Sequence, residues 1–288
     1  MNELSIPLLS DEKKAYLLGL RAGDIYARKD SNRVIVEVTS SKPVQIEMFQ
    51  NVFSSYGKVS WYEKKGGATE KTTRAYCSLN SSFEFLVNKP TYIPEWILNK
   101  EELFYSFLAG YVDSEGSWII TKHKKYNGKY KDLVFSLGTC DKTILEQIHK
   151  KLKELGFKSH FYLVRKRGTY TGIGVCNFDL YRVMLMRIKD VIRLAKILLP
   201  LSKHKEKQNK IQKIIELESF FKRASSIEIP CPYCGYEKIW KCGFWKYKDK
   251  KYPRYICPNC GKYISKKKVE LVEEELNANH RSFLSRFV

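Results

Sequence analysis

Residues Phe107 to Trp118 read FLAGYVDSEGSW, and residues Tyr16 to Ala27 read YLLGLRAGDIYA. Each stretch is an apolar helical run that delivers one carboxylate and then turns into a strand. Gly19 and Gly23 stand four apart in the earlier stretch, Gly110 and Ser114 in the later one. Each predicted helix therefore has small residues along one side, and small faces let two helix backbones approach closely. If the two stretches pack on each other, Asp24 and Glu115, each following the second small position, meet at the foot of the helix pair.

Such a meeting is costly. Two carboxylates about 5 Å apart repel by roughly 3 kcal/mol at an effective dielectric near 20, and each sits at the negative end of a helix dipole. A divalent cation removes both costs. Oxygen-rich sites that keep waters suit Mg2+ or the similar Mn2+, and a metal between an attacking water and a phosphate oxygen is suited to phosphodiester hydrolysis. The bland alternative is that Gly-Asp and Ser-Glu-Gly are ordinary helix punctuation. Two copies in the same apolar, small, acidic order, each opening a similar downstream pattern, argue against it.

Leu108-Ala109-Gly110-Tyr111-Val112-Asp113-Ser114-Glu115-Gly116 resembles the signature of the LAGLIDADG homing endonucleases, and Leu17 to Ile25 resembles a more divergent copy. The resemblance implies that Asp24 and Glu115 are the metal-binding catalytic acids. The first copy departs from the pattern at Arg21, Ala22 and Ile25, where the motif favours an apolar residue, an acid and Gly; the acid itself is kept.

A chain of 288 residues can bury a full core and hold two or three units. The net charge of +21, spread along the chain, makes nucleic acid the expected polyanionic partner. No apolar run of membrane-spanning length occurs, and the opening MNELSIPLLSDEKK lacks a secretory pattern, so the expectation is a soluble intracellular protein without a membrane partner.

After the first motif, residues 25–29 and 33–39 read as strands, 43–56 as a helix closed by Gly57, and 58–65 and 72–79 as a second strand pair. The Pro-containing connector 88–100 joins the halves. The order then recurs, with strands at 117–124 and 130–139, a helix at 142–155, strands at 158–166 and 170–176, and helices over 180–199. From acid to acid the offset is 115 − 24 = 91 residues, so one unit has been duplicated. The predicted class is α+β: two pseudo-twofold-related αββαββα units with paired motif helices and two antiparallel sheets, plus a small four-cysteine ribbon. The expected boundaries are 1–100, 101–224, 225–268 for the ribbon and 269–288 for a helical tail.

The strand pairs carry Arg28, Lys29, Lys64, Lys65 and Arg74 in the first half. In the second they carry Lys122, Lys124, Lys125, Lys129 and Lys131 around the hairpin signal Asn127-Gly128, and Arg165, Lys166 and Arg167 in the next turn. Each alone is ordinary charge at a strand edge; together they form the basic sheet that a two-stranded ribbon in a DNA major groove requires. The resemblance implies that these sheets saddle double-stranded DNA at a long specific site, bound by a monomer, with RNA as a second candidate partner.

LPLSKHKEKQNK, from Leu199, reads as a capped basic helix. The resemblance places a catalytic lysine in a segment of this kind, here Lys205, and the first-half segment TYIPEWILNKEEL offers no counterpart. By the same comparison Glu37 and Ser136 fall where a polar side chain organises water, a weak match because strand register can slip.

Cys231-Pro-Tyr-Cys234-Gly and Cys257-Pro-Asn-Cys260-Gly are paired C-x2-C knuckles, the spacing of a structural zinc site. The intervening segment resembles the small zinc ribbon of some insertion-sequence transposases, with Cys242 outside the ligand set. Rich in Lys, Tyr and Trp, the ribbon is expected to touch a nucleic-acid backbone. The leading reading is a Mg-dependent endonuclease that makes a double-strand break; the alternative is a non-cleaving LAGLIDADG protein, either an intron RNA maturase or a transcription regulator.

Overall fold

The computed structural model describes residues 9–65, 71–122, 131–172, 174–219, 226–247 and 250–274. Helix α1 (Asp11–Ala22) starts at Ser10, whose Oγ accepts the Lys13 N–H, and Asp11 and Glu12 complement the positive end of its dipole. Strands β1 (Tyr26–Asp30) and β2 (Arg33–Ser40), helix α2 (Pro43–Phe53), strands β3 (Val59–Lys65) and β4 (Lys71–Leu79) and a 3₁₀ turn (Ser81–Leu86) complete the first half, and α3 (Glu95–Leu98) occupies the connector. The second half repeats the series as α4 (Glu101–Glu115), β5 (Gly116–Lys122), β6 (Lys131–Thr139), α5 (Lys142–Glu154), β7 (Ser159–Arg165) and β8 (Leu180–Leu185), followed by α6 (Ile188–Leu198) and α7 (Lys205–Glu216).

The sheet orders are β1-β2-β4-β3 and β5-β6-β8-β7. All neighbours within them are antiparallel. Identical order in both sheets is the structural form of the duplication. Helices α1 and α4 cross between the sheets at the glycines. A Cβ on Gly19 would lie 2.1 Å from the Phe107 carbonyl oxygen, and one on Gly110 would lie 2.1 Å from that of Tyr16. These reciprocal contacts are what a pseudo-twofold seam requires, and no larger residue fits either position. One apolar core runs through both halves, from Leu17, Phe49 and Val36 to Leu108, Phe135 and Leu194.

One expected strand is misplaced. Residues 170–172 and 174–176 lie in a turn-rich excursion with Gly172 and Gly174 at positive φ and an isolated Tyr170–Val175 bridge. The strand that completes the second sheet is β8, a segment the sequence assigned to the start of a helix. LYRVML alternates, with Val183 and Leu185 buried between β6 and β7, but it runs into the helical period of α6 with only two residues between them, which hides the boundary.

The carboxyl-terminal module has its own sheet, ordered β12-β11-β10-β9, from β9 (Ser226–Ile227), β10 (Ile239–Tyr247), β11 (Lys250–Ile256) and β12 (Tyr263–Ser265). Residues 266–274 are helical, and Val269 joins Ile229, Ile239 and Ile264 in a small separate core; the rest of the expected tail lies outside the described residues. Among the described residues no helix is long and apolar enough to cross a membrane.

Candidate active site

At the foot of the α1–α4 seam, Asp24 and Glu115 line one polar cleft of about 380 Å³ together with Lys42, Gln45, Ser114 and Lys207. The small faces bring them there: a Cβ on Gly23 would lie 2.3 Å from Cβ of Ser114 and 3.5 Å from Cγ of Glu115. Asp24 accepts a hydrogen bond of 3.1 Å from the Gln45 amide. Burial pushes the Glu115 carboxyl above its ordinary pKa, and the nearby charges of Asp24 and Asp141 push it the same way. The Ser114 hydroxyl is buried among these groups without a hydrogen-bond partner. Two carboxylates in repulsion beside an orphaned hydroxyl form an oxygen donor set that fits a hard divalent cation.

Lys205 and Lys207 part company here. Lys205 opens α7 with its side chain 68% exposed and its Nζ 3.5 Å from Glu47, and it is not among the residues lining the cleft. Lys207 turns inward, and its Nζ donates to the carbonyl oxygens of Val112, Asp113 and Ser114 at 2.6, 2.6 and 2.9 Å. It thereby caps the last carbonyls of α4. Burial brings its pKa down to about 8 against the opposing pull of Asp113, Asp24 and Glu115. Nothing in the lysine run distinguishes residue 205 from 207 until the helix phase is known.

Two further groups escape a reading of sequence alone. Asp113 of the second motif is fully buried and accepts from Tyr16 Oη (2.7 Å), Ser202 Oγ (2.6 Å) and the Lys203 N–H (2.6 Å), tying α1, α4 and the Pro200 turn together. On the other side of Glu115, Tyr111 Oη donates to Asp141 (3.1 Å), and Lys89 Nζ lies 3.8 Å from the same carboxylate. Lys89 also acts on Glu115 electrostatically. It stands in the first-half connector, just upstream of the segment in which a counterpart lysine was sought.

Register now defines which side chains face outward on the sheets. Tyr26, Glu37, Tyr76 and Ser60 form one cross-strand row in the first sheet; Ser117, Ser136, Met184 and His160 form the corresponding row in the second. Glu37 and Ser136 thus occupy equivalent positions in the two sheets, and Glu37 is ion-paired with Arg74. Arg28 shares the outward face, alternating with buried Ala27, whereas Lys29 points the other way and pairs with Glu84 at 2.6 Å. Arg165, Lys166 and Arg167 are exposed where β7 ends. Arg182, on the outward face beside Gly138, was hidden by the helix assigned there. Lys64, Lys65, Lys122 and Lys131 lie on strands; Lys124, Lys125 and Lys129 lie outside the described residues.

The four knuckle thiols come within 4.8 Å of one another, with Cys231–Cys260 and Cys234–Cys257 sulfurs 3.7 and 3.6 Å apart. Tetrahedral zinc with bonds near 2.3 Å separates its sulfurs by about 3.8 Å. Both knuckles make the same turn, with Gly235 and Gly261 at φ 67° and 71° donating to the carbonyls of Cys231 and Cys257. The set fits zinc, and Cys242 stands apart from it.

No protein-family profile matches the sequence. The chain is 27% identical over 173 residues to an uncharacterized protein of Methanocaldococcus jannaschii, a match that covers 56% of this chain and 61% of that protein. Among solved structures it is similar to the homing endonuclease I-WcaI bound to its DNA recognition sequence, with a TM-score of 0.47 and 19% identity over 69% of this chain and 87% of that one. It is also similar to the N-terminal LAGLIDADG domain of DUF199/WhiA, with a TM-score of 0.42 and 16% identity over 67% and 86%. With two motif helices crossing at Gly19 and Gly110 and two sheets of identical strand order, the chain has the duplicated α+β architecture expected from its sequence, joined to a four-cysteine module.

Proposed function

We propose that the protein is a site-specific DNA endonuclease that breaks both strands by metal-dependent phosphodiester hydrolysis. The observation that supports this reading is the placement of Asp24 and Glu115 in one cleft at the foot of the helix seam. Neither carboxylate has a salt-bridge partner among the described ion pairs, and burial, with the charge of Asp24 added to it, keeps the Glu115 pKa raised. Mg2+ or Mn2+, held by these two residues, would supply Lewis-acid activation of water and phosphate.

The chain's own residues do the rest. Gln45 holds the Asp24 carboxylate by its 3.1 Å hydrogen bond. Lys207 is a positioning residue, since its ammonium is spent on three carbonyls that fix the turn carrying Glu115. Lys42, exposed on the cleft wall, can meet phosphate oxygens, whereas Lys210 on the same wall is paired with Glu206 at 2.8 Å. The outward sheet faces, with Arg28, Arg74, Arg165 and Arg182, would lie along duplex DNA and supply most of the contacts.

A second reading rests on the same lysine: its three bonds serve the fold as well as any chemistry, and a non-cleaving regulator or RNA maturase needs the fold alone. The two part in one experiment. Purified protein is incubated with a duplex library carrying randomised sites in Mg2+ and, separately, in Ca2+. Cleaved ends of a single sequence class in Mg2+, with retention but no ends in Ca2+, support the endonuclease; selective retention without ends in either metal overturns it.

A further inference from the structure

The two zinc knuckles have the same backbone turn but different middle residues, Pro-Tyr in one and Pro-Asn in the other. Asn259, of the second knuckle, faces the body. Its carbonyl accepts from Arg187 Nη1 at 2.6 Å, its side-chain oxygen accepts from Lys189 Nζ, and Arg187 is in turn gripped by buried Asp190 through bonds of 2.8 Å. Tyr233, at the matching place in the first knuckle, faces solvent. Lys262 and Lys268 lie over its ring at 4.8 and 4.4 Å, and Lys268 Nζ donates to its hydroxyl at 2.9 Å. One knuckle docks the module and the other displays two lysines ordered by a tyrosine.

We propose that the Tyr233–Lys262–Lys268 cluster is a phosphate-binding site for duplex DNA, extending the contact surface of the second half alone. Two ordered ammonium groups beside a phenol suit a bridging phosphate oxygen pair, and ordering them in advance lowers the entropy lost on binding. Among the described residues no carboxylate is ion-paired with either lysine. Location supports duplex DNA over other polyanions. The docking residues Arg187 and Lys189 follow β8 directly, at the end of the second sheet where β8 stops at Leu185 and the β5–β6 pair continues toward Lys122 and Lys131. DNA lying on that sheet and running past its end would come to the module. The first half carries no such module, so the protein's hold on its site would be lopsided.

This inference rests on the DNA-binding part of the proposed function but not on cleavage. Its test therefore reads binding only, in Ca2+, with the full chain and a fluorescent 40-base-pair duplex of random sequence across a series of salt concentrations. The Lys262→Gln/Lys268→Gln variant should keep its zinc stoichiometry. It should flatten the slope of log affinity against log salt by about two units and weaken binding roughly ten-fold or more at moderate salt. Tyr233→Phe, which keeps the ring but loses the hydroxyl, should show a smaller loss in the same direction. The control pair Lys13→Gln/Lys150→Gln, on exposed helix positions behind the sheets, should leave the slope in place. An unchanged slope in the knuckle variant, an equal change in the control pair, or a loss seen with an RNA duplex but not with DNA would each overturn the proposal. Wild-type protein that binds DNA with a knuckle-dependent slope yet cuts nothing would overturn the endonuclease reading and leave this one standing.

Discussion

The two halves close the foot of their motif helices with different chemistry. In the second half the last turn of α4 is secured by an acid and a lysine: Asp113 collects three donors, and Lys207 caps three carbonyls. In the first half, Ala22 stands where Asp113 would be and Arg21 takes over. Only 6% exposed, its guanidinium donates to the carbonyls of Leu86 (2.7 Å), Ile25 (3.0 Å) and Val87 (3.2 Å). Both solutions immobilise backbone beside a carboxylate, at Val112 to Ser114 ahead of Glu115 and at Ile25 just past Asp24. A planar guanidinium reaches several carbonyls from within its own helix, whereas a lysine must arrive from another segment. The departures of the first motif at Arg21 and Ala22 are thus a substitution of one anchor for another.

The widest break expected between the helix feet and everything around them is chemical. Asp24→Asn and Glu115→Gln should each reduce double-strand cleavage by on the order of 10³-fold or more, while duplex affinity in Ca2+ changes little, because on the proposed reading the binding contacts come from the sheets. Single-turnover cleavage and fluorescence anisotropy measure the two quantities. Substantial cleavage by the double variant would remove both residues from the reaction.

Next in size is the contrast within α7. Lys207→Met should slow cleavage about 10²-fold by loosening the turn that carries Glu115, and the nicked form of a supercoiled target should accumulate. Lys205→Met, which releases only a solvent-facing contact with Glu47, should change the rate by about two-fold or less. A reversed order would restore Lys205 to the role the resemblance assigned to it.

The anchors themselves should differ less. Arg21→Met leaves three carbonyls short of a charged donor and should lower unfolding free energy by about 3 kcal/mol; Asp113→Asn, which keeps the shape and loses the charge, should cost about 2 kcal/mol. Urea denaturation curves give both values. Equal rescue of Arg21→Met by Lys at position 21 would show that charge alone, not the fork of donors, holds the first foot.

The smallest effect is expected when zinc is withdrawn. A strong chelator should unfold the ribbon, whose small core depends on the four thiolates, yet leave the main thermal transition of the two halves nearly unmoved because they share a separate core. Calorimetry with and without chelator tests this; a single transition that shifts as a whole would mean that the Arg187–Asn259 contact couples the two folding units.

Much of this protein is local in origin and legible from the chain alone. The small-residue spacing of Gly19, Gly23, Gly110 and Ser114, the 91-residue offset of the acids and the paired knuckles are patterns of neighbours along the sequence, so they specify helices that can meet and thiols that can converge. Tertiary structure decided what depends on helix phase and strand register. Lys207 rather than Lys205 enters the seam because α7 turns by about 100° per residue against a fixed neighbour. Lys29 leaves the outward face, and Glu37 aligns with Ser136's equivalent row, because strand pairing sets alternation. Arg21 became an anchor because residues 86 and 87 come within its reach only after the first sheet has folded, and β8 became a strand because two strands stand open on either side of it. Long-range partners carry no mark in the sequence, and only the folded chain supplies them.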